Sequence, residues 1–539
     1  MKSVCPRPSA VIAALSASLL LVACGGGGGE AGSPKFGPEP APSPSPSPAP
    51  SPQPPLGLQP SSNYAQQCAP ENSLAPQASR VGSLSVEKQW MRSYFDEAYL
   101  WRDEVPQVDA TAASYSNTAN VQASLEAYFD ALLTPARTAS GAQRDRFSFT
   151  IPTAKWDQET KAGVDAGFGI EWTMGSRTPP RQIRIASVAA NSPASRAGLM
   201  RGDTLLTVNG VSADTNDSAG LVALNDALSP DAVGKSYVFA FSRGDANGLG
   251  QSINTSLLSA EVEKIPVPLT QVLTGMDGKQ VGYMVFNDHI AKGEAQLIAA
   301  INSFQRAGVS DLVLDLRYNG GGLLFMASEL AYMVAGPNQT ANKIFETSRY
   351  NSRRQNDNFS YPFFNTSCIL DANSKCTQEQ PLPSLGLKRV YVLAQSGTCS
   401  ASEAFINGLR GIDVQVILIG GKTCGKPYGF TAKDNCGMSY FPIEFGGVNN
   451  KGFGDYADGF VPAGSGATGV PGCVVADDLA NALGTPQEAM LAAALQHRIS
   501  GSCPPQLAKG FSVKRSGEGG VPLELKRSPL RSNAFHLPR

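Results

Sequence analysis

The chain has 539 residues, with 44 Lys plus Arg against 45 Asp plus Glu, a net charge of −1, 10 Cys and only 3 His. That balance excludes a broadly electropositive nucleic-acid binder, which needs a Lys/Arg surplus on one face. His289, His497 and His536 are too few for a His-rich metal site, no cofactor is expected, and any hydrolytic base must be something other than a cluster of histidines.

Residues 1–23 have the layout of a signal peptide. Lys2 and Arg7 precede an apolar run from Ala10 to Val22, broken only by Ser16 and Ser18 and too short for a spanning helix. The stretch Leu21-Val22-Ala23-Cys24 resembles the lipobox of bacterial lipoproteins, which implies cleavage before Cys24 and a diacylglycerol on its sulfur. Gly25, where an Asp would signal otherwise, implies the periplasmic face of the outer membrane. Residues 24–62 form a tether. Five glycines lead into a Pro/Ser run from Ala41 to Pro55, which adopts extended polyproline II and has no apolar surface to bury. Its reach is on the order of 100 Å. Its uncharged residues also lower the charged fraction to 17%, below the ~25% of soluble domains.

Export agrees with the cysteines. Beyond Cys5 and Cys24, eight remain: Cys68, Cys368, Cys376, Cys399, Cys424, Cys436, Cys473 and Cys503. An even count in an oxidising compartment predicts up to four disulfides of unassigned pairing, with Cys368 and Cys376 the easiest local pair. No Cys-x2-Cys spacing supports zinc.

Residues 63–161 read as a helical domain. Trp90, Tyr94, Phe95, Ala98 and Tyr99 recur at helical spacing, and Leu125, Tyr128, Phe129 and Leu132 repeat the pattern. Such aromatic stripes mark core. Residues 162–263 are rich in strands. Gly167-Phe168-Gly169-Ile170 is followed by Ser192-Pro193-Ala194, Ala197-Gly198-Leu199, Gly202-Asp203 and Val208-Asn209-Gly210. This series resembles a PDZ domain. The resemblance implies that the amides of Gly167 to Ile170 receive the carboxylate of a peptide that adds a strand to the sheet edge. The bland alternative is a PDZ fold that only packs against its neighbour.

Residues 264–505 alternate strands and helices. Val281 to Phe286, Leu312 to Leu316, Val390 to Ala394 and Val414 to Ile419 are apolar on both faces, which predicts a covered, largely parallel sheet. Ligands bind beyond the carboxyl ends of such strands. Gly320 to Gly322, Ser400 and Lys426 each follow one of them. Ser400, in a small-residue turn at a helix start, can act as a nucleophile. Gly321, Gly322 and the N–H of Ala401 can form an oxyanion hole, and a desolvated Lys426 can act as base.

Asp315-Leu316-Arg317-Tyr318-Asn319-Gly320-Gly321-Gly322, Ser400-Ala401-Ser402-Glu403 and Thr423-Cys424-Gly425-Lys426 closely resemble the signature segments of carboxyl-terminal processing peptidases, the S41 family. The resemblance implies three domains: a small helical one, a PDZ-like β domain, and an α/β core related to crotonase and Clp protease. It further implies a Ser400–Lys426 dyad acting on polypeptides with free carboxyl termini, oxyanion amides from Ala401 and Gly322, and a supporting Glu403. Many members carry Gln four residues after the lysine. That position is Phe430 here, so the third member of the site stays unassigned, and a weakly active or inactive binding lipoprotein or scaffold is the competing class. Cys399, beside the nucleophile, is expected in a disulfide or packed. Ser85-Val86-Glu87-Lys88 imitates the Ser-x-x-Lys of penicillin-recognising enzymes, but Ser85 is expected to cap a helix. His289 is expected at the surface or the edge of the core. Residues 506–539 read as a disordered tail, and a homo-oligomer is left open.

Overall fold

The computed structural model describes residues 58–161, 164–244, 250–367, 369–370, 376–505, 523 and 534–535. The signal peptide, Cys24, most of the tether and Cys368 lie outside them. No helix among the described residues is long and apolar enough to cross a membrane.

In the amino-terminal part, α1 (Leu84–Ala98) and α2 (Val121–Ala131) bury the expected aromatic stripe. Ser83, not Ser85, caps α1 by accepting the Val86 N–H, and Lys88 is buried with Nζ donating to the Tyr115 carbonyl at 2.8 Å. A single cluster holds Trp90, Phe95 and Phe129 together with Phe430, Tyr440 and Phe441. Cys68–Cys436 and the antiparallel pairing of β1 (Phe149–Pro152) with residues 438–441 add to this. The helical segment therefore shares its core with residues 430–443 of the third segment.

The second segment comprises β2 (Val164–Gly167), β3 (Ile170–Met174), β4 (Ile183–Val188), β5 (Thr204–Val208), α3 (Ser218–Leu228), β6 (Ser236–Arg243), β7 (Gln251–Leu258) and β8 (Ala260–Glu263). Its sheet runs β3-β4-β5-β6-β7 with β3 at one edge, and β2 pairs with β8.

The third segment runs β9 (Leu269–Thr274), β10 (Gln280–Val285), α4 (Gly293–Arg306), β11 (Asp311–Asp315), β12 (Gly322–Leu323), α5 (Leu324–Ala335), β13 (Ile344–Tyr350), β14 (Phe359–Pro362) and β15 (Arg389–Ala394). It continues through α6 (Ala401–Gly411), β16 (Gln415–Gly420), β17 (Tyr428–Phe430), β18 (Phe445–Val448), β19 (Gly472–Val474), α7 (Ala489–Ser500) and β20 (Ala534–Phe535). The main sheet, β9-β10-β11-β15-β16-β19, is parallel from β10 onward. Strand alternation sends Leu312, Leu314, Val390, Val392, Val416 and Leu418 into one cluster with α4, α5 and α6. Val313, Tyr391, Leu393, Ile417 and Ile419 face Met490 and Leu491 of α7. Helices thus cover both faces, which explains why the central residues of these strands are apolar on both sides.

A smaller sheet, β12-β20-β17-β18-β13-β14, lies at the carboxyl ends. Two residues of the tail read as disordered form β20, and Leu523 is buried. Backbone pairing and apolar burial hold them, and neither signal is visible in a Gly/Ser/Pro-rich stretch.

Candidate active site

The strands β11, β15 and β16 are neighbours in the sheet, so the three motifs that follow them emerge side by side. Ser400 initiates α6 at φ 57° and ψ −112°, a left-handed conformation that costs a residue with a side chain of order 1–3 kcal/mol. Its Oγ is buried and makes no hydrogen bond among the described residues. Lys426 is 1% exposed, and burial pulls its amine well below the ordinary lysine range, although Asp145 and Glu403 act in the opposite sense. Lys426 Nζ lies 4.3 Å from the Phe430 ring centroid and 5.2 Å from that of Phe147. Ser400 and Lys426 line one cavity of about 10 Å³ with Leu324, Glu346, Tyr428 and Tyr456. That is room for about one water.

Glu403 ties the two motifs together. Ser400 N–H at 3.0 Å and Lys426 N–H at 2.8 Å both donate to Oε2, while Gly425 N–H at 2.8 Å and Thr423 Oγ1 at 2.5 Å donate to Oε1. Burial raises its carboxyl above the ordinary range, and these four donors counteract the rise. Gly425 is required by its φ of 87° and by close approach: a Cβ there would meet the Ala457 carbonyl oxygen at 2.4 Å. Cys399 and Cys424 are joined to each other, clamping the residue before Ser400 to the loop before Lys426. The two sulfurs and Glu403 converge, but the sulfurs are spent on one another and the carboxylate on its donors, so the group does not fit a metal.

The glycine triplet is braced by Asn319. Its Oδ1 accepts Gly321 N–H at 2.9 Å and lies 3.0 Å from His289 Nδ1, its Nδ2 donates to the Phe286 carbonyl, and its own carbonyl accepts Cys399 N–H. A Cβ on Gly321 would sit 2.8 Å from Ser400 Cβ and 2.9 Å from the Ala401 nitrogen, so glycine alone fits there. Gly321 N–H is taken by Asn319, which leaves Gly322 as the better oxyanion donor of the two. His289 corrects the expectation of a surface or core-edge residue. It is wholly buried, and burial pulls its imidazole down to about 4, so it is neutral and braces Asn319.

Two groups escaped sequence reasoning. Glu346 projects from β13 into the same cavity, and burial pushes its carboxyl up to about 8. A single Glu within Ile344–Tyr350 carries no signal of this. Asn319 lies inside a quoted motif, but its bracing role depends on contacts far apart in the chain.

In the PDZ segment, Gly167 ends β2, Phe168 is in the core, Gly169 has φ 75° and Ile170 starts β3. These four do not join the Ser400 cavity. Arg201 bridges the two segments, with Nη1 2.5 Å from Tyr318 Oη and Nη2 2.6 Å from Asp477 Oδ1. Asp477 also accepts from Arg317, which pairs with Asp315 and Glu488. The PDZ segment is thus anchored to the strand end that carries the glycines.

Residues 280–433 match the model of Peptidase family S41, residues 87–149 that of the peptidase S41 N-terminal domain, and residues 184–226 a PDZ domain. The carboxyl-terminal-processing protease of Synechocystis is 27% identical over 282 residues, 50% of this chain and 55% of that protein. The carboxy-terminal processing protease CtpA of Bacillus subtilis is 23% identical over 256 residues, 47% and 46% of the two. The chain thus spans about half the length of these relatives. A solved structure from Bacteroides fragilis, assigned to the S41 proteases, superposes with a TM-score of 0.56 at 23% identity, covering 76% of this chain and 97% of that one, which shows the shared fold. Together these matches give the chain three successive segments similar to an S41 N-terminal domain, a PDZ domain and an S41 peptidase domain.

Proposed function

We propose that this chain is an exported, lipid-anchored serine endopeptidase that cleaves polypeptides through a Ser400–Lys426 dyad, with the PDZ domain reading substrate carboxyl termini. The observation that carries the proposal is the convergence of Ser400 and a desolvated Lys426 on one cavity at neighbouring strand ends.

In this mechanism neutral Lys426 Nζ takes the proton of Ser400 Oγ as the oxygen attacks the scissile carbonyl. The new Oγ–C bond leaves an oxyanion, which the N–H groups of Ala401 and Gly322 stabilise. The lysine ammonium then protonates the leaving amine as the C–N bond breaks, leaving an acyl ester on Ser400. A water that gives its proton to the same amine hydrolyses the ester and restores both groups. Glu403 positions the dyad through the two backbone amides it accepts. Gly167 to Ile170 receive the terminal carboxylate, and Cys24 with the tether of residues 24–62 holds the enzyme at the periplasmic face of the outer membrane.

The test compares wild type with Ser400→Ala and Lys426→Ala on a model polypeptide whose carboxyl terminus is free or amidated. Both variants are expected to lose at least about 10³-fold in kcat/KM, and amidation is expected to raise KM. Equal cleavage by all three proteins overturns the dyad, and indifference to amidation overturns the carboxylate reading. A non-catalytic peptide-binding lipoprotein is the second reading, favoured by the small cavity and by Phe430 packed against Lys426. Retained binding of free carboxyl termini with no cleavage across a broad substrate panel would select it.

A further inference from the structure

β20 lies between β12 and β17 and runs parallel to both. Ala534 is level with Gly322 and Gly429, and Phe535 with Leu323 and Phe430. Without β20, β12 and β17 would face each other as two edges one strand apart, a slot for a single extended chain. One wall of that slot begins at Gly322, one residue after the glycine beside Ser400 Cβ, and the other begins two residues after Lys426. The same tail has a second foothold. Leu523 N–H donates to the Arg177 carbonyl at 2.8 Å, just beyond the edge strand β3. Its side chain, 1% exposed, joins the PDZ cluster of Phe168, Trp172 and Leu224. The 11 residue steps from Leu523 to Ala534 can span at most about 40 Å.

We propose that the slot between β12 and β17 is a binding site for one extended polypeptide, that its resident occupant is the chain's own carboxyl-terminal segment, and that this segment competes with substrate. That the slot is the substrate path rests on the peptidase reading, whereas occupancy by the tail does not. A tethered occupant has an effective concentration near millimolar, so an incoming chain must displace it. The backbone ladder is indifferent to side-chain identity, so the site takes unfolded polypeptide segments rather than one short sequence.

The test uses the full chain and two readouts. In a Ser400→Ala background, hydrogen exchange is followed by mass spectrometry in peptides covering 320–325 and 427–432, with and without Ala534→Pro, which removes a ladder donor. Exchange is expected to quicken by about fivefold or more. Phe535→Pro serves as a second variant, and thermal unfolding checks that both remain folded. With Ser400 intact, Ala534→Pro is expected to raise the cleavage rate on casein by about threefold or more, since the tethered competitor is weakened. Unchanged exchange in both folded variants overturns the occupancy. Faster exchange with an unchanged casein rate overturns the competition. Faster exchange with no cleavage by any form upholds the occupancy and removes the peptidase reading instead.

Discussion

The carboxylate of Glu403 accepts the backbone N–H of Lys426 at 2.8 Å, and the same oxygen accepts the N–H of Ser400 at 3.0 Å. One buried side chain on the first turn of α6 therefore sets the distance between two loops that are 26 residues apart in sequence. A carboxylate suits this position because all four of its partners are donors, and it has lone pairs for each.

Glu403→Gln tests that relationship. An amide NH2 would face N–H donors, leaving at least one buried donor without an acceptor at a cost of about 1–3 kcal/mol. The expected outcome is a lower melting temperature and a kcat reduced by about 10- to 100-fold with KM little changed, because the group touches the dyad's backbone and not the substrate. Steady-state kinetics and calorimetry check both. A KM effect without a kcat effect would mean that Glu403 has no part in positioning.

Lys426 carries a pH prediction. Its folded-state amine loses its proton well below the ordinary lysine value of 10.5 because it is buried. The base is neutral above that lowered pKa, so activity is expected to persist at neutral pH and to fall as acid protonates the amine. The unfolded chain keeps the proton up to the ordinary value, so stability contributed at this site rises with pH between the two pKa values. Lys426→Met is expected to abolish activity, remove that slope and raise the melting temperature at neutral pH, since no amine need be desolvated. Melts from pH 6 to 9 check it. A methionine variant less stable throughout would refute it.

Glu346 titrates in the opposite sense. Its carboxyl is pushed up to about 8 by burial, against an ordinary value of 4.5, so the folded protein holds a proton there that the unfolded chain has lost. The associated stability is complete below about pH 4.5 and is lost as pH rises through about 8. Glu346→Gln mimics the protonated acid. It is expected to match wild type near pH 5 and to exceed it at pH 9 by an amount on the order of a few kcal/mol. Urea unfolding at the two pH values checks this, and equal stabilities at pH 9 would overturn it.

The Cys399–Cys424 bridge encloses a sequence separation of 25. On chain-entropy grounds such a loop stabilises by about 3 kcal/mol. Because it also clamps the Ser400 turn to the Lys426 loop, Cys399→Ala with Cys424→Ala is expected to lower kcat by about tenfold as well as to lose stability. Full activity in the double variant would make the bridge purely structural.

The buried strands were legible because Leu312 to Leu316, Val390 to Ala394 and Val414 to Ile419 are apolar on both faces, and only a covered sheet buries both. The Gly320–Gly322, Ser400 and Lys426 motifs were legible because glycine, a small-residue turn and a lysine after a buried strand each have a local chemical signature. Local pattern could not show that β11, β15 and β16 are neighbours, since strand order depends on long-range pairing. His289 was misplaced for a similar reason: polar Asn287 and Asp288 precede it, but Phe286 and the glycine loop, the latter distant in sequence, enclose it. The sequence by itself determined the chemistry available: a serine hydroxyl, a lysine amine and backbone amide donors, with too few histidines for a His-rich metal site. Only the tertiary structure decided that Glu403 joins the Ser400 turn to the Lys426 loop, that Glu346 shares their cavity, and that Ala534 and Phe535 pair between β12 and β17. Those outcomes depend on desolvation and on pairing between residues tens to hundreds of positions apart, which no local pattern encodes.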